Sequence, residues 1–293
     1  MMRLLSQLRE QLSDRDLDIL RDVERFRLLS TRQIQRLHFG TGHQTASAAT
    51  RACTRVLGRL KDHGLVGTLS RRVGGVRQGS AGLTWQLAAT GDRLLRSLRG
   101  DPHRRRFSEP SPDFVEHTLL AAELGVQLRE AANRGELELS ELAAERGAWR
   151  TFVGPHGSTA WLRPDLHAIT AGDTYEQHWF IEADRSREHG PHLLRKLEAY
   201  ARFLRSGRYQ ATHGLFPAVL WVVPDARRIR ELTGLAGQSS APVEIFQYVT
   251  IDGFIDHVLA ETTGIQSLPL PGILDAGQTD TYQQLTRKED YPR

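Results

Sequence analysis

Cysteine is almost missing from this sequence: Cys53 is the one thiol in 293 residues. An internal disulfide is therefore excluded, and without a CxxC pair there is no basis for a zinc ribbon. Long apolar runs are missing too. Nothing approaches the roughly 18 consecutive apolar residues that a membrane-spanning helix needs, and the opening MMRLLSQLRE has no apolar core of the secretory type. The expectation is a cytoplasmic protein that does not associate with membranes. Lysine is scarce, standing only at positions 61, 196 and 288. Arginine forks suit phosphate oxygens and guanine edges, but a coding bias gives the same ratio, so only the placement of the arginines is informative. The 12 histidines are scattered, and His189 and His192 lack a second ligand pair at a spacing that would complete a zinc site.

What is present is unevenly divided. The length allows two domains with cores of their own. Residues 1–106 hold 21 Lys and Arg against 9 Asp and Glu, a net charge of +12, whereas the remainder holds 18 against 26, a net charge of −8. Such a split implies a basic module for a polyanion joined to a more acidic one.

In the basic part, SDRDLDILRDVERFRLL (13–29) has Ser13 or Asp14 as N-cap, acids in its first turn, and Leu17, Leu20 and Val23 on one face, which predicts an amphipathic helix. Ser30-Thr31-Arg32-Gln33 is the S-x-x-Q of a capping box and starts a short second helix. A third helix is expected from Thr45 to His63, ended by Gly64. Its buried row reads as Ala52, Val56 and Leu60, and the adjacent exposed row as Arg51, Arg55 and Arg59. Residues 65–69 and 83–87 read as two strands around the tip SRRVGGVRQGSAG, after which Thr90 caps a last helix. Three helices followed by a basic ribbon is the winged helix-turn-helix order. It places the third helix in the major groove of double-stranded DNA, with Arg71, Arg72 and Arg77 on the wing near phosphates or the minor groove.

The domain boundaries that follow are 1–98 for this unit, 99–112 for a polar linker with three prolines and a run of three arginines, 113–264 for a second domain, and 265–293 for a tail. The second domain opens on a helix from Asp113 to about Asn133. Strands are expected at 137–143, 161–169, 176–183, 216–223 and 243–249, with helices at about 191–205 and 225–233. This alternation predicts an α/β (α+β) fold with a mixed sheet and helices on both faces.

Within it, the stretch WLRPDLHAITAGDTYEQHWFIEADRSREHGPHLLRKLEAY (161–200) carries Asp165 early in one strand, and Glu182 and Asp184 at the end of another. Glu182 and Asp184 are two apart and so point the same way on a strand. Carboxylates at the end of a buried strand require a cation. Two readings are open: a divalent metal, or ion pairs with Arg163, Arg185 and Lys196.

The spacing Pro164-Asp165, Glu182-Ala183-Asp184, then a helix with Lys196 and Tyr200 resembles the PD-(D/E)xK nuclease core. That resemblance implies Asp165, Glu182 and Asp184 as ligands of Mg²⁺ or Mn²⁺, and no organic cofactor. Lys196 would orient the attacking water, because Asp184 stands where that family usually has its lysine. It also nominates Glu116, with Glu123 on the same helix face. As a set, STRQIQRLHF, LTWQLAATGDRLL, EHTLLAAELGVQL, RPDLHAI and FIEADRS resemble the replication-relaxation family over about residues 13 to 235. The resemblance implies a DNA-binding protein of a plasmid, phage or integrated element, acting in replication, relaxation or transfer at an origin. Its second domain would either bind and slowly nick DNA or serve as a non-enzymatic module for homodimerisation or for contact with replication or transfer proteins.

Overall fold

A hydroxyl at Ser13 starts a long N-terminal helix of the computed structural model, which describes residues 7–42, 44–69, 82–102, 109–173 and 176–263. The Ser13 side chain accepts from the Asp16 amide and the Asp16 carboxylate accepts from the Ser13 amide, closing a capping box on α1 (Asp14–Phe26). The same device recurs at Ser30. Its oxygen accepts from the Gln33 amide at 3.2 Å and its own amide donates to Gln33 Oε1 at 2.9 Å, starting α2 (Thr31–Phe39). Thr45 caps α3 (Ala46–Asp62) by accepting from the Ala48 amide. Gly64 follows the helix at φ +66, a left-handed conformation in which a Cβ would be strained.

Two features of these helices differ from the sequence reading. The buried row of α3 is Ala49, Cys53, Leu57 and Leu60, while Ala52 and Val56 are half-buried. Spacings of four, four and three track the 3.6-residue turn better than a strict four, which drifts off the face. The helix after the ribbon, α4 (Ala89–Arg99), begins one residue before Thr90, with Ala88 as N-cap and no side-chain cap. Its start is set by packing: a Cβ on Gly91 would lie 2.1 Å from the Leu65 carbonyl oxygen, so only glycine admits this approach.

Between these helices, β1 (Leu29–Ser30), β2 (Val66–Thr68) and β3 (Thr84–Leu87) form an antiparallel sheet in the order β1-β3-β2. Leu17, Leu20, Val23, Phe26, Ile34, Leu57, Trp85, Leu94 and Leu95 bury its core. The wing tip, with Arg71, Arg72 and Arg77, lies outside the described residues.

The chain divides into two compact units, Met1–Val126 and Gln127–Arg293. The division falls inside α5 (Pro112–Asn133) rather than at the proline-containing stretch 99–112. The first half of α5 is bonded to α2: Gln33 Nε2 donates to the Leu119 carbonyl at 2.9 Å and Arg36 pairs with Glu123. Glu116 belongs to that same half.

The second unit is built on a five-stranded mixed sheet of β4 (Glu138–Ala144), β7 (Leu166–Ala171), β8 (Glu176–Ala183), β9 (Ala218–Val223) and β10 (Phe246–Thr250), in the order β10-β9-β8-β7-β4. Strands β8, β9 and β10 run parallel, and β7 is antiparallel to both β8 and β4. The parallel steps need crossovers, supplied by α6 (Gly190–Arg205) with α7 (Arg208–His213), and by α8 (Ala226–Ala236). Phe180, Val219, Trp221 and Val223 pack against Leu193, Leu197, Tyr200 and Phe203 of α6 and Leu232 of α8. The opposite face, reached by strand alternation, carries Trp179 and Thr170. It meets α9 (Phe254–Thr263), where Thr170 and Thr262 hydroxyls lie 2.8 Å apart. The run expected as one strand over 161–169 is broken by Arg163, Pro164 and Asp165. Its first part is β6 (Thr159–Leu162), which pairs instead with β5 (Arg150–Val153) in a separate hairpin. Proline has no amide for a ladder and favours such a break. The fold is thus α/β, with a mixed five-stranded sheet beside two smaller antiparallel ones. Among the described residues no helix is long and apolar enough to cross a membrane. The expected tail, 265–293, lies outside them.

Candidate functional site: an acidic strand end and an arginine-bearing helix

Strand β8 is buried along nearly its whole length, and its end brings Glu182 inside with it, at 1% exposure. The β7–β8 register pairs Leu166 with Ile181. One residue further, the Asp165 amide donates to the Ile181 carbonyl at 3.2 Å and Asp165 Oδ2 accepts from the Ala183 amide at 2.8 Å. Asp165 and Glu182 therefore sit together at the strand end. Lys196 and Tyr200, four apart on α6, come down on the same carboxylate: Lys196 Nζ lies 2.7 Å from Glu182 Oε2, and the Tyr200 hydroxyl donates to Oε1. The Lys196 ammonium also lies 5.2 Å from the centre of the Trp221 ring. Burial pushes the Glu182 carboxyl up to about 8 against the pull of Lys196, and Asp165 adds to the rise. Burial works against the Lys196 ammonium, but Glu182 and Asp165 overcome it and hold it above the ordinary lysine range. Two carboxyl groups thus share one cation, and burial makes Glu182 hard to ionise.

Asp184 does not join them. Its Oδ2 accepts from Arg228 Nε at 2.8 Å, both side chains being 3% exposed, and its Oδ1 takes the Ser186 amide. Arg228 also reaches the Glu188 carbonyl and Glu231. Three carboxylates converging on one divalent ion do not fit this arrangement, because Glu182 is held by Lys196 and Tyr200, Asp184 by Arg228, and Asp165 Oδ2 by the Ala183 amide. Among the described residues no three His, Cys, Asp or Glu side chains are grouped as a metal site requires. Of the partners expected from sequence, Lys196 is the one found on Glu182. Arg163 stacks on Trp149 instead. Arg228 was missed because it comes from a helix 44 positions on. Its only sequence signal is its place three residues after Asp225, at the start of a helix that follows a buried parallel strand.

A second polar cluster was also missed. His167 on β7 and His178 on β8 point to the Phe180 side of the sheet and share one phenol: Tyr209 Oη lies 2.8 Å from His167 Nε2 and 2.7 Å from His178 Nδ1. The outer nitrogens meet acids, His167 Nδ1 at 3.0 Å from Glu141 and His178 Nε2 at 2.9 Å from Glu176. His213 stacks on Tyr209, with ring centroids 4.2 Å apart. The phenol has one proton for two ring nitrogens, so one of the two contacts takes its proton from a ring, and a neutral ring that gives it has no N–H left for its outer acid. Burial holds the His167 imidazole below its ordinary value against the pull of Glu141, and raises the Tyr209 phenol. Strand alternation puts His178 on the Phe180 side; His167 joins it only once the β7–β8 register is known.

In the first unit, α3 presents Ser47, Thr50, Arg51, Thr54 and Arg55 to solvent, a stripe at the i, i+3, i+4, i+7, i+8 spacing of one helix face. It holds hydroxyls and guanidinium groups and no acid. Arg51 donates to Ser47 on its own helix at 2.7 Å, and Arg55 makes no hydrogen bond or ion pair among the described residues. Arg59 is different. Its Nη2 lies 2.6 and 2.7 Å from the two oxygens of Asp16, which is fully buried. Burial raises the Asp16 carboxyl, but the Ser13 amide and hydroxyl together with Arg59 outweigh it and hold it below the usual range. Arg59 is an anchor between α3 and α1.

A family model described as replication-relaxation matches residues 20–219, more than half of the chain. The chain belongs to that family, and membership suggests a role in replication or relaxation of plasmids or other mobile elements. No curated protein and no solved structure matches it.

Proposed function

We propose that this member of the replication-relaxation family is a double-stranded-DNA-binding protein of a mobile element, acting at an origin, whose first unit is a winged helix-turn-helix. The observation that carries the proposal is the outward stripe on α3. Five hydrogen-bonding side chains, two of them arginines with no acidic partner, line one face of a helix in an element order that offers this helix to the major groove. A solvated helix face ordinarily mixes acids with bases, and this one has no acid before Asp62.

The second unit is proposed as a PD-(D/E)xK-like domain that works without cutting, as a regulatory or assembly module. Asp165 just before β7 and Glu182 near the end of β8, with Lys196 on the next helix, support the likeness. Arg228 on Asp184 and Lys196 on Glu182 favour the non-cleaving reading over the nuclease, since the carboxylates are already neutralised from within. The test is selection of bound sequences from a random duplex pool, followed by a nicking assay on the selected site in Mn²⁺. The reading expects one enriched site, lost in Arg55→Ala, and no nicking above an Asp165→Ala control. An unenriched pool sinks the DNA-reading unit; nicking that Asp165→Ala abolishes restores the nuclease.

A further inference from the structure

The hairpin of β5 and β6 hides one face and leaves the other bare. Phe152 and Leu162 point inward and are 3% and 2% exposed. Alternation then turns Thr151, Val153, Thr159 and Trp161 outward; Val153 is 73% exposed and Trp161 48%. Trp149, one residue before β5, falls on the same parity. Its ring centroid lies 6.2 Å from that of Trp161 with the planes at 80°. Arg163 stacks over Trp149 at 4.9 Å from the ring centre, and Arg146 lies at 5.9 Å. Neither guanidinium has an acidic partner among the described residues.

A structural role accounts for part of this. An arginine laid on Trp149 covers that ring and gains a cation–π contact. It leaves Trp161 unexplained. A tryptophan half in water, next to an exposed valine, is the kind of surface that marks a binding site. The chemistry around it selects the occupant: aromatic faces with two cations, two threonine hydroxyls and, over residues 149–163, no acid, in a part of the chain that is otherwise net acidic. An acidic or apolar peptide would use one half of this surface and leave the other half idle. A nucleotide uses both, with its base on the ring and its phosphate on the guanidinium. Bases in a duplex are stacked on one another and do not offer their faces, so the ligand must be unpaired.

We infer that the outward face of the β5–β6 hairpin, with Trp161 as the stacking platform and Arg163 and Arg146 as phosphate contacts, is a binding site for single-stranded DNA. The site is separate from the α3 stripe and does not depend on it. A protein acting where an element's strands are opened would hold the duplex with one unit and a released strand with the other.

The experiment uses the full chain and a labelled oligothymidine of about 15 nucleotides, long enough for one such groove, read by anisotropy and by tryptophan quenching. Trp161→Ala is expected to weaken oligothymidine binding by about 10-fold to 100-fold, the range for losing one stacked base, with duplex affinity unchanged. Trp161→Phe should keep most of the binding, because an aromatic face remains. Arg163→Ala should lower the salt slope on oligothymidine by about 0.7, one phosphate on a single strand. Arg51→Ala/Arg55→Ala should do the opposite of Trp161→Ala, losing duplex and keeping oligothymidine. That comparison distinguishes failure of this site from failure of the duplex reading. Wild-type protein that does not bind oligothymidine, or a Trp161→Ala protein with wild-type circular dichroism that binds it as well as wild type does, overturns the proposal. So does equal loss of oligothymidine in Trp161→Ala and Trp161→Phe.

Discussion

Arg228 Nε lies 2.8 Å from Asp184 Oδ2, with both side chains 3% exposed, and this pair holds the end of the central strand to the helix that follows β9. A buried ion pair adds little over a well-packed apolar pair, but removing one partner strands a charge away from water. Arg228→Ala should therefore cost about 3–5 kcal/mol, and Asp184→Asn in the same background should recover part of it. Urea unfolding of wild type and the two variants checks this. A loss below about 0.5 kcal/mol, within the range of ordinary surface changes, would mean that Asp184 is served by water.

Metal addition should leave the second unit unmoved. A site filled to 100 times its dissociation constant stabilises a fold by about 2.7 kcal/mol. Because Lys196 and Tyr200 already occupy Glu182, millimolar Mn²⁺ is expected to produce no shift in Tm. A rise that Asp165→Ala or Glu182→Ala removes would show that the ion displaces Lys196.

Tyr209→Phe deletes the one oxygen shared by His167 and His178 while keeping the ring that stacks on His213. Two buried ring nitrogens then lose their partner, a loss of about 1–3 kcal/mol in unfolding free energy. Tyr209→Ala should cost more, since it also removes the ring from the Phe180 cluster. Equal stability of Tyr209→Phe and wild type would mean that the hydroxyl contributes nothing.

How much of this was readable beforehand differs by level. The capping box at Ser30 was legible because a box needs only residues three apart, whereas at Ser13 the sequence left Ser13 or Asp14 as N-cap and the structure takes Ser13, with Asp16 closing a box; Gly64 was legible as a helix end because its backbone conformation excludes other residues. The strands of the central sheet were legible from apolar runs such as Phe216 to Val223. The break at Pro164 was masked by apolar residues on either side. Asp165, Glu182 and Lys196 could be nominated from spacing, and the structure does bring them together. The partner of Asp184 could not be, because Arg228 meets it only through the parallel pairing of β8 with β9. For the same reason Arg59 read as one of three equal arginines. Only the packing of α3 on α1 sets it opposite Asp16 and apart from Arg51 and Arg55.

Stability should fall in mild acid through His257. Burial pushes its imidazole down to about 4, and its Nε2 lies 2.8 Å from Gln247 Oε1. The folded state therefore binds this proton less readily than the unfolded chain does. The contribution is complete above about pH 6.5 and is lost as pH falls from there toward 4, about 3 kcal/mol in all. Unfolding midpoints of wild type and His257→Gln at pH 7 and pH 4.5 isolate the effect. The gap between the two proteins should shrink on acidification, and a gap that stays constant would contradict the assignment.

The division of labour on α3 is tested most directly by the salt dependence of duplex binding. Wild type should show a slope of log Kobs against log salt of roughly −3 to −5. Arg51→Ala/Arg55→Ala should make it shallower by about 2, one unit for each phosphate given up, with unchanged thermal stability. Arg59→Ala should instead lower stability, leaving Asp16 buried and unpaired, and keep the wild-type slope at temperatures where it stays folded. An unchanged slope and affinity in Arg51→Ala/Arg55→Ala would contradict the placement of this helix face on DNA.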